Sequence, residues 1–504
     1  MDSNETVTNK KSNVKKNYIY NLIYQMVALL TPLVVTPFVS RVLGSAGLGQ
    51  YTFTYSIATY FVLLSSLGFS FYSQREIARH QGDKKQQSII FYEIMIAKTI
   101  TTLVSVVIYI IPILAGLYGE VYTTLMWILL INIVSTFFDV SFLFQGNENF
   151  GIIALRNIII KIIGVVLIIV FVKNESDVWI YTLCQSIILI VSNVSLWPSL
   201  PKYLTRVKAK ELHVARHFIP SIRLFIPTVA ISVYTVFDKT LIGIMIPGAT
   251  TINGVEKSMA DVENGFYDNA EKLVKTAMTI ITSLGIVMNP RNSQAIAVNN
   301  YEEFNNNIKK AIQFVFFLGF PITFGICSVS LNFAPWYFGS GFEKVPYLMM
   351  TLSPLVLLIG LSNVLGIQYL IPLGRDRKYT ISIVIGAAIN LCLNLVLIYF
   401  LWSFGACIAT IIAEFTVTLI MAIFARKDVG FREYLRLSWK YLASGLVMFG
   451  AVFATQHFLS PSPLHTFLLI GEGMVCYLVL LLIFQDSFLK NTLSRLLFFR
   501  RNKH

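Results

Sequence analysis

The sequence predicts an all-α integral membrane protein of about fourteen transmembrane helices, and three observations predict it. Apolar runs of the length needed to cross a bilayer, about 20 residues, recur from one end of the chain to the other with short polar breaks. Charged residues make up only 13% of the 504 residues and hydrophobic ones 55%, with a mean hydropathy of +0.67, whereas soluble domains carry about 25% charge. Lysine and arginine crowd into alternate breaks, the pattern left by repeated crossing of a membrane. Because the runs are continuous rather than alternating, and only helices or closed barrels satisfy backbone groups in lipid, the spans are expected to be helices.

In chain order the segments are 17–40, 48–71, 89–113, 121–144, 152–172, 178–197, 218–246, 266–288, 309–333, 345–371, 379–401, 404–425, 439–459 and 464–485. Residues 1–16 read as a disordered cytoplasmic tail and 486–504 as a basic cytoplasmic tail. Helices 1–6 (17–197) and 7–12 (218–425) form two six-helix lobes, and helices 13–14 (439–485) are an appendage. A weak internal echo supports the lobes. PFVSRVLGSAGLGQYTFTYSIATYFVLL (37–64) and DKTLIGIMIPG (238–248) running on to NGFYDNAEKLVKTAMTII (264–281) share one plan: a polar residue plus LG or IG, a loop, then Gly, an aromatic and the next span. GLGQYTF and ENGFYDN are its clearest pair, and the spacing of six spans is that of a parallel repeat, a common transporter plan. The second copy carries the longer loop insert ATTINGVEKSMADVE.

With the N-terminus inside, the inner loops hold 29 of the 40 lysines and arginines and the outer side only Arg41, Lys173, Lys257 and Lys344. Both termini are therefore expected in the cytoplasm. The net charge of +14 is spread over these short loops, which topology and attraction to anionic lipid explain, so no nucleic-acid partner is expected. No small-residue cleavage site follows a short apolar core, so no cleaved signal peptide is expected. Cys184, Cys327, Cys392, Cys407 and Cys476 stand singly in apolar runs, without CxxC pairs or histidines at ligand spacing, and imply neither metal nor cofactor. With no GxxxxGK[ST] motif there is no nucleotide motor on the chain, so drive would come from a gradient or from the ligand.

NYIYNLIYQMVALLTPLVVTPFVSRVLGSAGLGQY followed by LGFSFYSQREIAR, and later GIQYLIPLGRDRKYTISIVIGAAINLCLNLVLIYF with GACIATIIAEF, resemble the Wzx-type polysaccharide flippases of the multidrug/oligosaccharidyl-lipid/polysaccharide exporter superfamily. The resemblance runs to about residue 425. It implies a bacterial plasma-membrane transporter, not an enzyme, that moves an undecaprenyl-diphosphate-linked oligosaccharide repeat unit from inner to outer leaflet by alternating access. Such flippases serve capsule, exopolysaccharide or other cell-surface polysaccharide synthesis, with membrane lipids and the polymerase and chain-length machinery of the pathway as partners. Lipid II flippases are a related branch and cation-coupled multidrug antiporters a more distant one. A membrane glycan polymerase ranks last, because the longest outer loop, about 20 residues around TINGVEKSMADVEN, holds no histidine.

Moving a charged sugar headgroup through lipid needs a polar cavity, since an unpaired charge at the bilayer centre costs from about 3 to over 10 kcal/mol. The in-span cations are Lys98, Arg156, Lys161, Arg223, Lys239, Lys272 and Lys275. Arg156 and Arg223 lie near the inner face, where snorkelling is a sufficient explanation and a cavity role the alternative. Lys161 is deeper and either lines the cavity or pairs with an acid such as Asp139. Asp238 and Lys239 are an interfacial pair or a cavity site. Lys161, Arg223, Asp238, Lys239, Lys272 and Lys275 are the candidates to face a central cavity and bind diphosphate, with Arg41 and Arg75 at its mouths. The resemblance adds that a basic residue in the corresponding helix of lipid II flippases faces the cavity, and Lys272 matches its position. Asp268–Lys272 and Glu271–Lys275 are also i,i+4 pairs in the favourable order, so a self-neutralised turn is the competing reading. Asn363, Gln368, Asn390 and Asn394 either join helices or contact sugar. Tyr51, Tyr55 and Tyr60 either stack sugars or belong to an interfacial belt. Asp139 and Glu414 are candidates for ion coupling, Glu414 equally for a bond between helices.

A phosphatase reporter that is active only outside the cytoplasm should be active when fused after Asn174 and inactive when fused after Val207; the opposite pattern would invert the topology.

Overall fold

The computed structural model describes residues 2–252, 254–426, 429 and 431–490. Its helices are α1 (Asp2–Ser66), α2 (Phe69–Arg79), α3 (Lys84–Leu114), α4 (Glu120–Phe138), α5 (Ser141–Gly146), α6 (Phe150–Phe171), α7 (Val178–Val194) and α8 (Phe218–Met245). A hairpin of β1 (Ala249–Ile252) and β2 (Val255–Ser258) leads into α9 (Met259–Ala297). The chain continues through α10 (Tyr301–Phe338), α11 (Val345–Leu352), α12 (Leu355–Asn363), α13 (Asp376–Leu401), α14 (Ser403–Ala425), α15 (Phe431–Gln456) and α16 (Pro463–Ile483). Each of the fourteen expected spans falls on helix, and among the described residues ten stretches are long and apolar enough to cross a membrane.

Three local features depart from the sequence expectation. Residues 2–16, expected as a disordered tail, carry helical backbone continuous with α1. Nothing between them and Pro32 interrupts a helix, and Asp2 and Glu5 suit a helix N-terminus. The all-α expectation also omits the hairpin, whose register pairs Ala249 with Ser258 and Ile252 with Val255. Its signal is the Asn253-Gly254 dipeptide, the residue pair that favours two-residue hairpin loops. Residues Val364–Leu370 form a π-helical segment after α12 rather than continuing the α-helix.

The first two spans are one long helix broken at Gly44, whose φ of 67° and ψ of 179° few residues with a Cβ adopt. α6 shows how a span meets lipid. Leu155, Ile159, Ile162, Val166 and Val170 recur at helical spacing and are all exposed, an apolar stripe that only hydrocarbon would solvate.

The chain forms two compact units, Met1–Gly243 with Gly248–Gly265, and Ile244–Pro247 with Phe266–His504. In the first, loops that the alternating charge puts on one side meet at one end. Lys257 on β2 pairs with Glu175 at 3.1 Å, and the Tyr122 hydroxyl donates to both carboxylate oxygens of Asp261 at 2.9 Å. At the other end the basic loops meet, with Lys85 on Glu211 at 2.8 Å and Asn149 donating to the Tyr203 hydroxyl at 3.1 Å. Lys85 holds the Glu211 carboxyl below the usual carboxylate range.

α8 and the start of α9 belong to the first unit because they pack on α1. Ser56 and Thr240 share a hydrogen bond of 2.7 Å between α1 and α8. α1 and α9 come closer still. A Cβ on Gly49 would lie 1.7 Å from the Asp261 carbonyl oxygen, and one on Gly265 would lie 2.0 Å from that of Ser45. Gly49 and Gly265 therefore each meet the backbone two residues before the other's motif.

In the second unit α13 and α14 form a tight hairpin at Trp402. α15 and α16 pack against α10: Trp336 donates to the Thr466 hydroxyl at 2.7 Å, and the Tyr477 hydroxyl donates to the Phe317 carbonyl at 3.0 Å. The Tyr441 hydroxyl donates to Asp486 at 2.9 Å, closing the other end.

Gly49→Ala and Gly265→Ala should each lower the thermal midpoint of the purified protein, by the equivalent of about 1–3 kcal/mol or more, because no rotamer change relieves a backbone clash. Gly450→Ala in α15, where an added Cβ meets nothing within 4 Å, should be neutral or stabilising by up to about 1 kcal/mol.

Candidate functional site

The charges of FYDNAEKLVKTAM set the character of the site in the second unit. The first three turns of α9 are buried although they are polar: Asp261, Glu263 and Asn264 in the first unit, Asp268, Asn269 and Glu271 in the second. Lys272 reaches Asp268 at 3.0 Å and Lys275 reaches Glu271 at 2.6 Å, the i,i+4 pairs expected from the sequence. The partners differ in exposure. The lysine side chains are 34% and 36% exposed and the carboxylates 11% and 5%. The lysines are thus the more accessible partners of two closed ion pairs whose four charges sum to zero.

The remaining expected site residues are distributed between the units. In the first, Asp238 is buried and Lys239 half-buried on α8, and the Lys239 carbonyl accepts from Asn264 at 2.8 Å. Lys161 is half-buried on α6, while Arg223, Arg41 and Arg75 are exposed. Asp139 does not meet Lys161. The cation beside it is Lys98, which crosses from α3 to donate to the Asp139 carbonyl at 2.6 Å. Arg156 is not left to snorkel, since its guanidinium donates to the Ser192 carbonyl at 2.6 Å and to Asn157 at 2.7 Å. Tyr51 stacks on Tyr55 with centroids 5.4 Å apart and meets Tyr181 edge-on at 4.9 Å. Tyr60 lies 3.5 Å from the Thr240 hydroxyl.

In the second unit the four amides separate into two pairs. Asn390 and Asn394 are fully buried; Asn394 donates to Asn390 at 3.0 Å, and Asn390 to Thr410 on α14 at 3.4 Å. The first bond lies within α13, and the second joins α13 to α14. Asn363 and Gln368 are five residues apart, and the π-helical segment brings them onto one face, with Gln368 donating to Asn363 at 3.3 Å. Asn292 on α9 donates to the Gln368 carbonyl at 3.1 Å, serving backbone that the changed hydrogen-bond spacing exposes. Gly285 on α9 leaves room for Asn363, whose side-chain oxygen lies 2.5 Å from where a Cβ would stand. Glu414 is buried on α14.

The sequence reading missed Glu93. Its Oε2 accepts from Arg216 at 2.6 Å and lies 2.6 Å from His217 Nε2, and its Oε1 accepts from the His213 backbone at 2.5 Å. His217 Nδ1 lies 2.8 Å from the Tyr72 hydroxyl, so α2, α3 and the segment before α8 are tied at one buried carboxylate. Glu93 stands only five residues into its span, and its partners lie more than 100 residues away, which hides the pairing from local spacing.

The second unit also holds a half-open apolar cleft of about 520 Å³, formed mainly by α10, α15 and α16 and lined by Phe317, Pro321, Val329, Met448, Leu469 and Met474 among others, with no charged side chain in its wall. Such a wall suits alkyl or isoprenoid chain.

Glu93→Ala should lower the thermal midpoint of the purified protein far more than Arg216→Ala. The first leaves a buried histidine and an arginine without their acid, a class of change costing about 3–5 kcal/mol; Arg216 is 45% exposed and water replaces part of what it loses.

A comparison with known proteins places this fold. A putative O-antigen transporter of Escherichia coli (strain K12) is 23% identical over 424 residues, covering 84% of this chain and 98% of the relative. A lipid II flippase MurJ structure in an inward closed conformation superposes with a TM-score of 0.71 at 16% identity, over 92% of this chain and 98% of its own. An inward-facing multidrug resistance MATE family transporter of the MOP superfamily superposes at 0.61 and 13% identity, over 80% and 94%. The family model described as polysaccharide biosynthesis protein matches residues 14–296. That stretch holds GSAGLGQY and its facing ENGFYDN, the basic end built around Glu93 and the paired lysines of α9, and the chain belongs to the polysaccharide biosynthesis protein family.

Proposed function

We propose that the chain is a flippase that carries undecaprenyl-diphosphate-linked oligosaccharide repeat units from the inner to the outer leaflet of the bacterial plasma membrane, for cell-surface polysaccharide synthesis. The observation that carries this reading is the start of α9, where Lys272 and Lys275 are the more accessible partners of two ion pairs with buried acids. A diphosphate is the ligand chemistry that competes with a carboxylate for an ammonium, through charge-assisted hydrogen bonds. The name of the E. coli relative, a putative O-antigen transporter, and the polysaccharide biosynthesis family support the same substrate class.

In this reading Lys161, Arg223, Asp238, Lys239, Lys272 and Lys275 line the path of the headgroup, with Arg41 and Arg75 at its mouths. The apolar cavity between α10, α15 and α16 suits the polyprenyl chain. Both termini lie in the cytoplasm, and the two six-helix lobes alternate access. A lobe that moves must be biased by differential binding in its two states, and Asp139 and Glu414 are the acids that would carry a coupling ion. The polymerase and chain-length machinery are the downstream partners. No second reading is favoured by a specific feature. A cation-coupled drug antiporter would want clustered acids, and the in-span acids Asp139, Asp238 and Glu414 stand far apart in sequence.

In a strain lacking this gene, wild-type protein should restore surface polymer, whereas Lys161→Gln or Lys272→Gln should abolish export at normal protein level. Wild-type export from both variants would sink the lysine assignment. Unchanged polymer in the deletion strain would sink the flippase reading itself.

A further inference from the structure

The first unit contains a second cavity, remote in chemistry from the apolar one. It has a volume of about 600 Å³, within the range of about 300–1,000 Å³ typical of small-ligand sites. Its wall is assembled from five elements: Gln50 on α1, Thr124 on α4, Asn174 and Glu175 in the turn before α7, Trp179 on α7 and Lys257 on β2. Trp179 is 46% exposed, so part of its ring surface is open at the first turn of α7. Lys257 and Glu175 pair across the rim at 3.1 Å.

We propose that this cavity is a carbohydrate subsite that takes one or two sugar units of the exported glycan, an inference that rests on the flippase reading above. The chemistry of a pyranose fits each part of the wall. One face of the ring is apolar CH and stacks on an aromatic, for which Trp179 supplies area at low conformational cost. The ring hydroxyls both donate and accept. Gln50 and Asn174 offer amides, Lys257 a charged donor and Glu175 a charged acceptor. The opposed charges of the rim cancel, which suits a neutral polar ligand better than an ion.

The polar groups are also held from behind, which reduces the ordering cost of binding. The turn that carries Asn174 is fixed, since the Asp177 carboxylate accepts from the Asn174 N–H at 2.8 Å and the Asp177 N–H donates to the Asn174 carbonyl at 3.0 Å. Gln50 bonds to Asp261, which is itself held by Tyr122 at 2.9 Å. The hairpin insert supplies Lys257, so the longer second loop has a use beyond connection. By the distribution of basic residues this end faces outward, where a delivered glycan would be met.

The test uses the full chain purified in detergent. The probe is the water-soluble oligosaccharide released by mild acid from the lipid-linked pool of the strain of origin, read by saturation-transfer NMR and calorimetry. Wild-type protein should bind it saturably, and Trp179→Ala should bind about tenfold more weakly. Trp179→Tyr, which keeps a stacking ring, should recover most of that loss, and Glu175→Gln should weaken binding with an unchanged melting profile. Absence of saturable binding by wild type would overturn the subsite. So would binding by Trp179→Ala and Glu175→Gln equal to wild type. The export assay separates the two readings: a deletion strain that still exports polymer removes the flippase reading, whereas complementation together with unaltered sugar binding in these variants removes only the subsite.

Discussion

The rest of the structure depends on the cost of leaving a charge unanswered in hydrocarbon. That cost, about 3 kcal/mol at the least, decides where the chain can place ions and what must accompany them. Lys98 reaches a backbone carbonyl on another element, Arg156 a carbonyl and an amide, and Glu93 an arginine, a histidine and a backbone amide at once. The two lysines of α9 take acids from their own helix. The difference matters. An acid one turn away comes with the helix wherever it goes. The Glu93 contacts, by contrast, tie three separate segments together.

Much of the fold was legible because lipid simplifies the reading. When the solvent is hydrocarbon, span length and hydropathy suffice, and every expected segment falls on helix. The i,i+4 pairs on α9 were legible for the same reason, since one helix sets both ends of each pair. What escaped depends on contacts between elements distant in sequence. Glu93 meets residues 213, 216 and 217, and nothing local marks that meeting. Pairing with an acid such as Asp139 was one of two readings open for Lys161, whereas packing of α3 brings Lys98 to the Asp139 carbonyl. The Gly49 and Gly265 contact was half legible, as a repeat in sequence without its cause.

The amides illustrate a subtler gap. A spacing of four reads directly as one helix face, and Asn390 with Asn394 obeys it. A spacing of five does not, and only the wider turn at Val364–Leu370 turns Gln368 back over Asn363. The motif GIQYLIPLG therefore encodes a change of helical period that no fixed-period reading of hydrophobicity would register.

That wider turn gives the span one place where a residue can be lost without re-aiming it. Removing one between Asn363 and Gln368 would let the backbone relax to an ordinary α-helix, with the two amides four apart and still on one face. Removing one from the regular helix of α12 instead would turn everything before the gap by about 100° relative to everything after.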